Sequence, residues 1–161
     1  MGARRAGGDR GAVVVEAALV LPMLFFLVFG IIDFGVNLSD QIAVREGVRE
    51  GVRQAVVDAP GATTVTEVVA LTEQRIGVAD GARVYVVPQA TDVAAGAKGS
   101  NLTVCAYVPM RSLSGLYSGV LHDRYMWSKV TMRVEQDLGY DKPGGDTAPK
   151  GGSWTRCTAD A

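Results

Sequence analysis

Arg10-Gly11-Ala12-Val13-Val14-Val15-Glu16-Ala17-Ala18-Leu19-Val20-Leu21-Pro22 opens a run that stays apolar from Ala12 to Ile32, interrupted only by Glu16 and Pro22. As a helix rising about 1.5 Å per residue, that run is roughly 32 Å long, enough for a hydrocarbon core of about 30 Å. A bilayer helix tolerates the proline. A carboxylate inside a span is costly and is by default a functional-site candidate, which singles out Glu16. The uncharged part, Ala17 to Ile32, is shorter and spans only with Glu16 near the cytoplasmic interface. Arg4, Arg5 and Arg10 precede the run, and Asp33 and Asp40 follow it. This asymmetry favours the N-terminus inside and the C-terminal part outside. The run exits through Asp33-Phe34-Gly35-Val36-Asn37 with no Ala-x-Ala pattern, which argues against an ordinary cleaved secretory signal.

Working outward from that run, the chain divides into a leader (1–11), a transmembrane helix (12–35), an extracytoplasmic helix extension (36–58), a small α+β domain (59–138) and a Gly/Pro-rich tail (139–161). The helix has no stop signal before Asp58-Ala59-Pro60-Gly61, a strong terminator. Val44, Val48, Val52 and Val56 recur every four residues and form a stripe on one face, with Arg45, Arg49 and Arg53 on a neighbouring face. Glu46 with Arg49, and Glu50 with Arg53, have the spacing for i,i+3 pairs worth a few tenths of a kcal/mol. Gly47 and Gly51 each cost about 1 kcal/mol relative to alanine. Glycines so spaced let another backbone approach closely. Two readings stand for this stretch: an amphipathic helix lying on its own domain, or a subunit–subunit contact.

A second helix is predicted over Val65–Ile76, with Val68, Val69, Leu71 and Ile76 as core candidates and Gly77 as its cap. Three strands follow: Ala82–Val87, ending before Pro88; Asn101–Val108; and Tyr125–Glu135. In the second, Leu102, Val104, Ala106 and Val108 alternate with Thr103, Cys105 and Tyr107. In the third, Met126, Ser128, Val130, Met132 and Val134 alternate with Tyr125, Trp127, Lys129, Thr131 and Arg133. A period of two marks half-buried antiparallel strands. Asp92–Ser100 reads as the loop of a long hairpin. Leu113, Leu116, Tyr117, Val120 and Leu121 have the spacing of a short helix, or compact loop, crossing the sheet. The expected fold class is α+β: a membrane span continuing into an amphipathic helix, with a small C-terminal antiparallel β-sheet. So small a sheet gains from a cross-link. A bridge between Cys105 and Cys157 would contribute about 2–4 kcal/mol and suits an oxidising location; the alternative is two free thiols, or Cys105 as a small core residue.

Other chemistries find little support. Net charge over 161 residues is −1, so bulk electrostatics names no nucleic-acid partner. The single histidine, His122, lies beside Asp123, but no nucleophile-elbow or metal-ligand spacing accompanies it. The glycines of 92–99 and 139–152 lack the strand–glycine–helix context of a phosphate loop. No enzyme activity, cofactor, metal or small-molecule substrate is expected.

Arg10-Gly11, Glu16, Ala17-Ala18-Leu19-Val20-Leu21-Pro22 and Phe29-Gly30-Ile31-Ile32-Asp33-Phe34-Gly35 together resemble the TadE-like family of minor pseudopilins, from the tight-adherence (Flp) branch of type IV pili. The resemblance is specific over roughly residues 10–40 and one of architecture beyond. It implies cleavage by a membrane prepilin peptidase after Gly11, making Ala12 the mature N-terminus and Glu16 its fifth residue. Asp33 stands where the family has an acid, often glutamate, near the end of the span. Membrane lipid, prepilin peptidase, other pilins or pseudopilins and the pilus assembly platform are the implied partners, and surface adhesion the implied role. The residues fit that picture physically. A peptidase can approach the backbone closely at a glycine. Removing the basic leader leaves an ammonium at Ala12, and a Glu16 carboxylate buried in a bundle of packed spans needs a positive partner. Glu16 could instead be an interfacial acid that snorkels or is protonated. Pro22 is either a tolerated kink or a weak point that lets the helix unwind during assembly. A plain uncleaved, signal-anchored extracytoplasmic binding domain is the alternative function.

Overall fold

A computed structural model describes residues 8–57, 64–77, 81–149 and 153–159. Helix α1 (Gly8–Val57) is continuous for 50 residues, about 75 Å. It passes through Pro22 and through Gly35, Gly47 and Gly51 without a break. It ends at Val57; the expected terminator Asp58–Gly61 and leader residues 1–7 lie outside the described residues.

Helix α2 (Val65–Ile76) has the predicted bounds. Its start is a capping box: Thr64 Oγ1 accepts from the Glu67 N–H at 3.3 Å while the Thr64 N–H donates to Glu67 Oε2 at 2.7 Å. Gly77 ends it in the left-handed region (φ 60°) and donates its N–H to the Glu73 carbonyl. The buried positions are Val68, Val69, Thr72 and Ile76. Thr72 takes the place expected of Leu71, which is only half-buried, because α2 crosses α1 at Gly47 and Gly51. A Cβ on Gly47 would lie 2.6 Å from the Ile76 backbone nitrogen, and one on Gly51 would overlap Thr72 Oγ1. The two glycines therefore serve packing within the chain.

Four antiparallel strands follow, β1 (Arg83–Gln89), β2 (Asn101–Pro109), β3 (Tyr125–Arg133) and β4 (Gly144–Gly145), in the order β3-β2-β1-β4. β1 and β2 form the long hairpin, in register from Arg83 opposite Tyr107 to Gln89 opposite Asn101. Two expectations need correction. β1 does not stop before Pro88 but includes it. Val84 turns its N–H and C=O toward Asp146, so Pro88, in the same phase, turns its ring nitrogen to that side, beyond where β4 ends. A missing N–H costs no ladder bond at an edge. The segment 113–121 does not cross the sheet: only α3 (Ser118–Leu121) is helical, and the segment lies along α1.

The core lies between the helices and one sheet face. Val44, Val48, Val52, Ala55 and Val56 of α1 and Val68, Val69 and Ile76 of α2 pack on Val84, Val86, Leu102, Val104, Ala106, Val108, Met126 and Val134. The opposite face is covered by the tail. Cys157, in the short helix α4 (Thr155–Thr158), is joined by a disulfide to Cys105 with Cα atoms 6.1 Å apart. Trp154 stacks on Tyr85 at 5.0 Å, and Tyr107 donates its hydroxyl to the Ser153 carbonyl. β2 is therefore buried on both faces between its half-buried ends.

Candidate functional site

Gly11, Ala12, Glu16 and Pro22 lie together on the bare N-terminal half of α1, every residue from 11 to 29 being exposed. An 18-residue window of this helix has a mean hydropathy of 2.6 and none of it is buried, so it is long and apolar enough to cross a membrane. Ala12 and Glu16 are one helical turn apart and so share a face. Glu16 has no ion-pair partner among the described residues. A Cβ on Gly11 would meet nothing within 4 Å, so packing among the described residues gives no reason for a glycine there. Pro22 has no N–H for the Ala18 carbonyl, leaving one local gap in the helical ladder.

Where α1 leaves its bare half, a polar clamp begins, and sequence reasoning did not foresee it. Asp33 is fully buried, and its carboxylate accepts four hydrogen bonds from one loop. Oδ2 takes the hydroxyls of Ser112 (2.6 Å) and Ser114 (2.7 Å); Oδ1 takes the backbone N–H groups of Leu113 and Ser114, both at 3.0 Å. One turn on, the Asn37 amide donates to the carbonyls of Asp33 (2.8 Å) and Arg111 (2.7 Å) and accepts the Arg111 N–H at 3.1 Å. Asp40 meets the Arg111 guanidinium at 3.6 Å. Further down the helix, Tyr117 donates its hydroxyl to the Phe26 carbonyl at 2.5 Å and sets its ring edge-on to Phe34. A buried carboxylate is tolerable when its lone pairs are met in this way. The clamp joins the domain to α1 below the point where the valine stripe starts.

The other singled-out residues separate. Glu50 and Arg53 pair at 3.6 Å, whereas Glu46 and Arg49 form no ion pair. Arg45 and Arg49, with Gln41, overhang a groove of about 610 Å³ along Trp127–Thr131 of β3. His122 and Asp123 pair at 3.0 Å in the exposed turn before β3. Cys105 and Cys157 sit on the sheet face away from α1 and α2.

Residues 11–53 match the family model for TadE-like proteins, a pilus-associated, pilin-like family of structural components. The match runs from Gly11 through the clamp residues on α1 and most of the valine stripe. No curated protein and no solved structure matches the chain.

Proposed function

We propose that this chain, TadE-like over residues 11–53, is a minor pilin or pseudopilin of a tight-adherence (Flp) type IV pilus. Prepilin peptidase cuts after Gly11 on the cytoplasmic side. The helix beginning at Ala12 spans the cytoplasmic membrane, and the α+β domain stands outside. In the assembly the spans leave lipid and pack on one another. The new ammonium of Ala12 then pairs with Glu16 of a neighbouring protomer, which sets the register of docking more than it adds stability. Prepilin peptidase, other pilins and the assembly platform are the partners, and adhesion to a surface is the outcome.

The observation carrying this reading is the bare half of α1. It is a long apolar helix whose residues 11–29 are all exposed, touched by the described residues only near Pro22–Phe29, with one carboxylate near its start, inside the segment that matches the family. A glycine at position 11 that no contact among the described residues requires supports processing there. Intact-mass spectrometry of the protein from native membranes with an active prepilin peptidase tests it. The expected chain begins at Ala12. A chain still carrying Met1 or Gly2 would exclude the processing step and leave a signal-anchored extracytoplasmic domain.

A further inference from the structure

The ten residues Ser112 to Leu121 contain no charged side chain, yet Arg111 precedes them and His122-Asp123-Arg124 follows. They form a hook folded back along α1, away from the core of their own domain. That core begins on α1 at Val44, while Tyr117 touches the helix at Phe26 and fills the space over Gly30, where a Cβ would lie 2.9 Å from its hydroxyl. From Asp33, where the hook is clamped, down to Phe26 is about 10 Å along the helix axis.

The large side chains that the hook exposes are apolar. Leu113 is 64% exposed, Val120 62% and Leu116 46%. Ser114 and Leu116 complete an apolar recess of about 370 Å³ with Pro22, Phe25, Phe26 and Phe29 of α1. Contiguous exposed apolar surface of this kind marks an interaction site. It is continuous with exposed Phe25, Phe26 and Phe29 on the bare helix, so whatever surrounds those residues also meets the hook.

Many of the hook's polar groups are engaged within the chain. Leu113 N–H, Ser114 N–H and both serine hydroxyls go to Asp33, and the Leu116 N–H goes to Ser114 Oγ. Ser118 uses its N–H and hydroxyl on the Gly115 carbonyl, the N–H groups of Val120 and Leu121 share the Tyr117 carbonyl, and the His122 N–H goes to Ser118. Each such internal bond lowers the cost of placing this backbone against lipid. The Tyr117 hydroxyl is likewise met, by the Phe26 carbonyl.

We propose that the hook Ser112–Leu121 is a membrane wedge: it enters the outer leaflet beside its own helix and seats Leu113, Leu116 and Val120 among acyl chains. Arg111 and Arg124 then stand at the headgroups on either side. The wedge rests on the reading of α1 as a membrane span.

Site-directed spin labelling of the full chain in phosphatidylethanolamine/phosphatidylglycerol nanodiscs tests it. The two native cysteines are bonded to each other. Single Leu116→Cys, Val120→Cys, Phe25→Cys and Asp92→Cys variants, each shown to be folded by near-ultraviolet circular dichroism, carry the label. Power saturation compares collisions with oxygen, which dissolves in lipid, and with a nickel chelate, which does not. Labels at Leu116 and Val120 are expected to match Phe25, with oxygen accessibility several-fold above nickel, and Asp92 to show the reverse. Nickel-accessible labels at Leu116 and Val120 beside a lipid-exposed Phe25 would overturn the wedge and leave the span standing. A nickel-accessible Phe25 would overturn the span itself. Labels at Leu116 and Val120 shielded from both reagents would mean that protein covers the hook, again against the wedge.

Discussion

Gly47→Ala separates the two accounts of the glycines on α1 by the sign of its effect. In an exposed helix, alanine is better than glycine by about 1 kcal/mol, so a position with room gains on substitution. Gly47 has no room. A new Cβ would stand 2.6 Å from the Ile76 nitrogen and 2.7 Å from its Cα and Cγ1. Two of those atoms are backbone and cannot rotate aside, so α2 must back away by about 1 Å to restore ordinary contact. Doing so lifts Val68, Val69 and Ile76 from the core. Overpacking costs about 1–3 kcal/mol, and a backbone clash belongs at the upper end; subtracting the helix gain of about 1 leaves a net loss of about 2 kcal/mol. For a domain of about 100 residues that is roughly 10 °C in Tm. The assay is a near-ultraviolet circular dichroism melt of the full chain in detergent, reading the aromatic side chains on the sheet. Gly35→Ala is the control, since nothing lies within 4 Å of a Cβ there, and its Tm should not fall. A Gly47→Ala protein that melts at or above the parent temperature would refute the assignment of this glycine to the α1–α2 contact.

Three further outcomes are expected. Glu16→Ala should leave cleavage after Gly11 largely intact, as read by mass, but abolish incorporation into pili, as read by immunogold labelling; normal incorporation would remove the ion-pair role. Cys105→Ser should abolish the faster migration of the parent chain on non-reducing gels and cost about 2–4 kcal/mol in denaturant unfolding; identical mobility of oxidised and reduced parent protein would contradict the bridge. Burial pushes the Tyr140 phenol up to about 12. The folded state then holds its proton more tightly than the unfolded chain, so stability is complete below pH 10 and declines by up to about 2 kcal/mol as pH rises from 10 to 12. Tyr140→Phe should abolish that decline and cost little at pH 7, because the buried hydroxyl has no hydrogen-bond partner among the described residues.

Periodicity carried the parts of the fold in which one face is apolar. The valine stripe of α1, the helix over Val65–Ile76 and the alternation in β3 each repeat one residue class at a spacing that burial largely follows, whereas β2 alternates in sequence but is buried from Leu102 to Val108 because the tail covers its second face. The remainder was hidden for identifiable reasons. β4 is two glycines, which carry no strand propensity, and it is positioned by the Asp146 backbone and side chain on Val84. The tail has little apolar content; its Cys105–Cys157 attachment was expected, whereas the stacking of Trp154 on Tyr85 joins partners distant in sequence. The capping box Thr64-x-x-Glu67 was a readable signal that went unused. The clamp had a fainter one. Asp33, Asn37 and Asp40 continue the valine stripe at spacings of four, three and four into Val44, and polar groups in register with a buried stripe need partners. Nothing in the sequence named the serines of the 112–114 loop as those partners.

The bare half of α1 and its core-forming half are one unbroken rod, with the clamp bracing the junction. There is accordingly no slack between the two halves. In the proposed topology, a machine that pushes, withdraws or twists the lower end of the rod moves the whole outer body with it. Mechanical work delivered at the inner surface would then reach the outside with no compliant linker to absorb it.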